Sequence, residues 1–266
     1  MRRCSACNSP VPSDATVCPV CGQKIAEEIL ERVLPFLKRP LAEDVKTLGL
    51  VGRIIGVLIR PAATFRDIAR RPDGRGPAVV VLFNALIMTA AFLAVCSKLT
   101  LNYIVDEEPV AIGLLSSPVA PGVISVGLFT IVPNLILGML YLTIGAGAAH
   151  VILKIAGGTA RYGRSMMIVG YSLVPVILAR LLGVLILMLT IPEMSVEQYG
   201  TTYIVTTVFQ SGAFVIIDYL TTASFIWVGF ILAFGIREVH NTSTSWAFAI
   251  SAICTAILIL TFWQVH

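Results

Sequence analysis

Four cysteines open the chain in two pairs. Cys4-x-x-Cys7 is followed, after ten residues, by Cys18-x-x-Cys21. Each pair can hold two thiolates on one tight turn, a knuckle. Two knuckles brought together supply four sulfurs in the tetrahedron that zinc prefers. Asn8 and Gly22 stand directly after the knuckles, where a left-handed backbone is useful. Pro10, Pro12, Ser13 and Asp14 suit a turn between them. Disulfides and a dithiol redox pair are the competing readings. The cytoplasmic placement implied by the loop charges disfavours structural disulfides, and a redox site needs only one pair. With cysteine at all four positions no place remains for a catalytic water, so the spacing predicts a structural Zn2+ site. A module this small has too little core to fold without its metal.

The second group of chemical interest lies in apolar surroundings. Residues 171–189 read YSLVPVILARLLGVLILML, and Arg180 interrupts that run with a permanent charge. A lone arginine at the bilayer centre costs at least about 2.5–3.5 kcal/mol. Asp218 falls at an overlapping depth in the next apolar stretch. Consecutive antiparallel helices tend to be neighbours, and a two-point hydrogen-bonded pair would offset much of the cost. We therefore expect an Arg180–Asp218 ion pair that locks spans three and four together. The alternative is a proton or ion relay through these two groups. A relay needs several polar positions in series, and Asn84, Asn134, His150, Tyr171 and Gln210 lie on different spans without alignment. His150 and Lys154, near the inner end of span two, can reach headgroups. Neither HExxH nor GxSxG occurs, and the histidines are only His150, His240 and His266. The expectation is a protein that is not an enzyme.

The elements that must position these groups follow from composition. Of 266 residues, 57% are hydrophobic and 13% charged, with a mean hydropathy of +0.89. A soluble domain runs near a quarter charged, so the class is integral membrane protein. The fold class expected is all-α integral membrane: a five-helix transmembrane bundle preceded by amphipathic cytoplasmic helices and a small zinc-ribbon module. Residues 1–23 form the module, 24–75 the amphipathic or interfacial helices and linker, and 76–266 the membrane domain. The spans fall at about 78–97, 123–153, 166–190, 208–236 and 246–264, each long enough to cross the hydrocarbon layer. Pro133 beside Asn134 predicts a kink or split in the second. Within 24–46, Ile25, Ile29, Val33 and Phe36 fall at helical spacing, with Glu27, Glu28, Glu31 and Arg32 elsewhere around the turn and an interruption near Pro35. Pro61 can open a short helix at its first position.

Arg53, Arg60, Arg66, Arg70, Arg71 and Arg75 crowd this lead-in and suit anionic lipid headgroups. A helical pair packed on the ribbon is the other reading. The loops set orientation. Loop 154–165 carries Lys154, Arg161 and Arg164, while loop 98–122 carries Asp106, Glu107 and Glu108, and loop 191–207 carries Glu193 and Glu197. Basic loops alternate with acidic ones, which predicts a cell-membrane protein with a cytoplasmic N-terminus and His266 outside. No secretory signal precedes the first span.

Several segments then resemble one family. Residues 53–72, RIIGVLIRPAATFRDIARRP, are similar to the cytoplasmic lead-in of the Yip (Ypt/Rab-interacting protein) membrane family. Residues 157–175, GGTARYGRSMMIVGYSLVP, resemble its glycine pair, basic stretch and Y-S-x-x-P step into span three. Gly235, Ile236, Arg237, Glu238, His240, Ser243 and Ala247 resemble its link between the last two spans. The resemblance, over about residues 50–264, implies a helical membrane domain without a known catalytic site. Eukaryotic members are implicated in vesicle traffic and in binding prenylated small GTPases. A zinc ribbon stands here in place of their long soluble N-terminal region, and such fusions look archaeal or bacterial. Pro175 frees the carbonyl of Tyr171, which makes Tyr171, Ser172 and Pro175 either a packing kink or a lipid or partner site. The resulting expectation is a membrane scaffold or organiser that recruits a cytoplasmic protein through its ribbon. A transporter, channel or lipid-moving protein using Arg180 and Asp218 is the alternative. The module has few cations beyond Arg2, Arg3 and Lys24, so nucleic acid is not an expected partner.

Overall fold

The computed structural model describes all residues except 1, 5, 12–14, 16–17, 24–28, 40–45, 106–107, 156, 159 and 266. The expected turn residues Pro12, Ser13 and Asp14 therefore lie outside the described residues. So do Lys24, Ile25, Glu27, Glu28, Asp106, Glu107 and His266. The chain divides into two compact units. One comprises Met1–Val80, Tyr141–Pro175 and Phe225–His266, the other Val81–Leu140 and Val176–Ser224.

Among the described residues, five helices are long and apolar enough to cross a bilayer. They are α4 (Arg75–Cys96), the pair α5 (Ala120–Phe129) and α6 (Ile131–Ile155), the pair α7 (Tyr162–Ser172) and α8 (Val174–Thr190), α10 (Gly212–His240) and α11 (Thr244–Val265). Both internal breaks sit where a proline withdraws a donor. Pro133 cannot bond the carbonyl of Phe129, and the helix splits at Thr130. Pro175 cannot bond the carbonyl of Tyr171, and the break falls at Leu173.

Ahead of the spans lie β1 (Arg2–Arg3) and β2 (Pro10–Val11), paired antiparallel, then α1 (Ile29–Val33) and a 3-10 turn at Pro35–Leu37. Next come α2 (Leu50–Ile59) and α3 (Pro61–Arg70). Pro61 occupies the first turn of α3, where its missing N–H has no intrahelical partner to lose.

The core of the first unit joins Val57, Phe65 and Ile68 of the lead-in to Ile168 and Tyr171 of α7 and to Ile231, Phe234 and Ile236 of α10. Close approach there depends on glycine. A Cβ at Gly170 would meet the Pro77 side chain at 2.5 Å, and one at Gly76 would strike the Tyr171 ring.

In the second unit, segments read from sequence as loops carry structure. β3 (Leu99–Val105) and β4 (Glu108–Gly113) form an antiparallel pair, and β5 (Met194–Ser195) adds parallel to β3. The alternation in LTLNYIV is a two-residue period, which fits a half-exposed strand. α9 (Val196–Phe209) occupies the end of what read as loop 191–207, so the fourth span begins at Gly212. Threonine and valine are weak helix formers, and the helix is held by packing instead. Ile204 and Val208 pack in one cluster with Leu187, Ile191, Met194 and Ala213.

Candidate metal centre and buried polar network

The two cysteine knuckles are built alike. In the first, Asn8 N–H donates to Cys4 O at 2.9 Å and Cys4 N–H to Ser9 O at 3.0 Å. In the second, Gly22 N–H donates to Cys18 O at 2.9 Å and Cys18 N–H to Gln23 O at 2.8 Å. Asn8 (φ 54°) and Gly22 (φ 71°) take the left-handed conformation that closes each turn. The four Sγ atoms lie within 4.8 Å of one another, with Cys4–Cys21 at 3.5 Å and Cys7–Cys18 at 3.6 Å. These separations are far longer than a disulfide bond, at about 2.05 Å. They approach the roughly 3.8 Å between sulfurs that surround a tetrahedral ion at about 2.3 Å.

The electrostatics agree. The Ser9 hydroxyl and N–H hold the Cys7 thiol down at about 6. The N–H groups of Cys7 and Ala6 hold Cys4 below its ordinary value. At Cys21 the Gln23 N–H favours the thiolate, but neighbouring Cys7, desolvation, Cys4 and Cys18 outweigh it and push that thiol up to about 12. Thiolates this close disfavour one another, and a cation among them would relieve that repulsion. The donor set fits a soft metal ion.

A second polar assembly ties the lead-in to the link between the last two spans. Arg237, only 1% exposed, pairs with Glu238 through Nη2 at 3.0 Å and lies 3.7 Å from Glu31 Oε1. Its Nη1 donates to Leu37 O in the 3-10 turn. Arg66 Nε reaches Glu238 Oε2 at 3.9 Å, and Arg39 Nε reaches Glu31 Oε1 at 3.5 Å. Thr244 Oγ1 donates to Glu31 at 2.5 Å, and Arg39 Nη2 donates to Thr242 O at 2.6 Å. Beside this network Arg53 Nε donates to Asp67 Oδ2 at 2.9 Å. Burial opposes the Arg53 charge, but the hydrogen bond and charge of Asp67 prevail and raise its pKa above the ordinary value. The lead-in arginines thus divide. Arg53 (5% exposed) and Arg66 (8%) are spent on internal carboxylates and do not face headgroups, whereas Arg60, Arg70, Arg71 and Arg75 are exposed. Burial, which folding decides, distinguishes the two sets.

Two histidines that sequence alone scattered meet on one hydroxyl. Ser165 is fully buried. Its Oγ hydrogen-bonds His150 Nδ1 at 2.8 Å and His240 Nε2 at 3.1 Å. The hydroxyl can donate to one imidazole and accept from the other. The pair Gly157 (φ 82°) and Gly158 caps α6, with Gly158 N–H donating to Leu153 O at 2.7 Å. A Cβ at Gly158 would come within 2.7 Å of His240 Nδ1. His150 therefore points into the protein and not to headgroups. The glycine pair was the one sequence signal that could have located this site.

Arg180 has a different partner from the one its depth suggested. Its Nη1 donates to Asn84 Oδ1 on α4. No ion pair joins it to Asp218 among the described residues. α8 and α10 are neighbours, since a Cβ at Gly183 would touch Ile217 at 3.4 Å. With Ile217 facing α8, Asp218 is turned about 100° round its helix. Depth along two helices was legible; azimuth was not. Tyr171 and Ser172 are both fully buried, and Ser172 Oγ donates to Ile168 O at 2.7 Å. Pro175 is buried as well, which suits the packing kink of the two readings. The buried Tyr171 hydroxyl lies toward Arg53 without completing a hydrogen bond.

Fold and site together define a multi-pass α-helical membrane protein with an N-terminal four-cysteine cluster able to hold a metal ion. The Yip1 domain family matches residues 55–265, and the chain belongs to that family. No curated protein and no solved structure gives a significant match.

Proposed function

We propose that this Yip1-family chain is a non-enzymatic membrane scaffold of the cell membrane that recruits a cytoplasmic protein through a zinc-loaded N-terminal ribbon. The observation that carries the reading is the anchorage of Glu31. That carboxylate is held by Arg237, Arg39 and Thr244 at the α10–α11 link. Glu31 stands ten positions after Cys21. Ten residues span at most about 35 Å, so the cysteine cluster is tethered close to the membrane domain yet carries its own small core of Cys4, Val11 and Cys18. A closed four-thiolate zinc site is a structural one, suited to presenting a surface. The alternation of basic and acidic loops supports the reading of a cytoplasmic N-terminus and a C-terminus outside. The exposed arginines Arg60, Arg70, Arg71 and Arg75 then meet anionic headgroups.

The test is in-cell crosslinking of the full chain against Cys4→Ser/Cys7→Ser, both checked for membrane insertion. A cytoplasmic protein captured by the first and lost with the second is expected. Identical capture by both removes the recruiting role.

A further inference from the structure

A cleft of about 400 Å3 opens between the lead-in and α10. That volume lies within the roughly 300–1,000 Å3 of ligand pockets. Its walls are apolar and aromatic: Phe36 from the 3-10 turn, Ile59 at the end of α2, and Trp227, Phe230 and Phe234 along α10. Phe36 and Phe230 stand 6.4 Å apart, and Phe230 and Phe234 are 5.2 Å apart edge to face. Lys38 and Arg60 supply the only charges among the described residues that line it, and none of those described residues is a carboxylate. A basic rim on an aromatic trough is complementary to an anionic amphiphile.

Depth points the same way. α10 has 29 residues, about 44 Å of helix, against a hydrocarbon layer of about 30 Å. If its first 20 or so residues fill that layer, Trp227 and Phe230 fall at the boundary nearer Arg237, and Arg237 and Glu238 fall beyond it. Aromatic side chains favour that boundary, and the phosphate plane lies just outside it.

We propose that this cleft binds one anionic phospholipid, with an acyl chain along Ile59, Trp227 and Phe230 and the phosphate at the Lys38–Arg60 rim. The proposal rests on the lead-in lying against the leaflet surface and is independent of what the cysteine module recruits.

The protein contains three tryptophans, Trp227, Trp246 and Trp263. The full chain carrying Trp246→Phe and Trp263→Phe reports on the cleft by quenching of Trp227. It is reconstituted in phosphatidylcholine vesicles containing a minority of phosphatidylglycerol, with bromine on the acyl chains of one lipid or the other. Per mole, brominated phosphatidylglycerol should quench about thirtyfold more strongly, as attraction of a headgroup to two nearby cations implies. Lys38→Gln/Arg60→Gln should bring the two lipids to parity, while Arg164→Gln, an exposed arginine outside the cleft, should retain the preference. If the double variant does not insert, the preference of the parent chain should still fall as salt is added.

Equal quenching by both lipids, or a preference that survives the double variant, overturns the site. Loss of the preference on adding inorganic phosphate, at an ionic strength where chloride leaves it intact, also overturns it, because a free anion would then be the preferred occupant. Quenching by neither lipid overturns both the site and the placement of the lead-in at the leaflet.

Discussion

Arg180 illustrates how one charge is tolerated in apolar surroundings. Its guanidinium donates to Asn84, a neutral amide that offers an acceptor without adding a second ion to desolvate. Interhelical polar contacts in membranes are worth about 0.6–1.7 kcal/mol by double-mutant cycles. A cycle of Asn84→Ala and Arg180→Met should give coupling in that range, read from unfolding in detergent. The cycle of Arg180→Met with Asp218→Asn should give coupling near zero. Arg237 is the opposite case, a fully buried cation with Glu31 and Glu238 beside it and its Cζ 5.3 Å from the Phe234 ring centroid. Arg237→Met leaves two carboxylates without their principal cation. Breaking a buried pair from one side costs about 3–5 kcal/mol. Thermal unfolding should show a loss of that order, and Glu238→Gln alone should cost less because Arg237 retains Glu31.

At the scale of elements, prolines and glycines decide where helices break and how closely they cross. Pro133 and Pro175 each remove one helical hydrogen bond, and each break falls within a few residues of the freed carbonyl. The crossing of α4 with α7 is set by Gly76 and Gly170, which admit the Tyr171 ring and Pro77. Gly76→Ala drives a methyl group into that ring. Overpacking of this kind costs about 1–3 kcal/mol. The detergent-solubilised yield of folded protein should drop for Gly76→Ala and recover in Gly76→Ala/Tyr171→Leu. Recovery failing would mean that the glycine serves backbone freedom and not clearance for the ring.

At the scale of the molecule, two kinds of stability coexist. The membrane helices satisfy their own backbone groups and are held by apolar packing. Among the described residues the cysteine module has a core of Cys4, Val11 and Cys18, with Cys7 and Ala15 packed against it, and a module of this size has little core of its own. A metal ion held by the four cysteines would contribute its binding free energy to folding of the module. A strong chelator should unfold residues 1–23 and expose them to protease. The helical circular dichroism and detergent-unfolding midpoint of the membrane domain should change little. A parallel loss of membrane-domain stability would show that the two are coupled through Glu31.

What the sequence determined by itself was local. Five apolar stretches of spanning length, two equally spaced cysteine pairs and the proline breaks are legible because each is a property of contiguous residues. Helix type at 196–209 was hidden by β-branched, polar residues whose helix is held by packing. The tertiary structure alone decided who pairs with whom. Arg237 and Leu37 are 200 positions apart, Arg180 and Asn84 are 96 apart, and Ser165 and His240 are 75 apart. Such pairings depend on the azimuth of each helix and on its neighbours, neither of which leaves a mark in local spacing. The same holds for the division of the lead-in arginines, since Arg53 and Arg60 differ in sequence only by position. Folding turns Arg53 onto Asp67 and leaves Arg60 at the rim of the cleft.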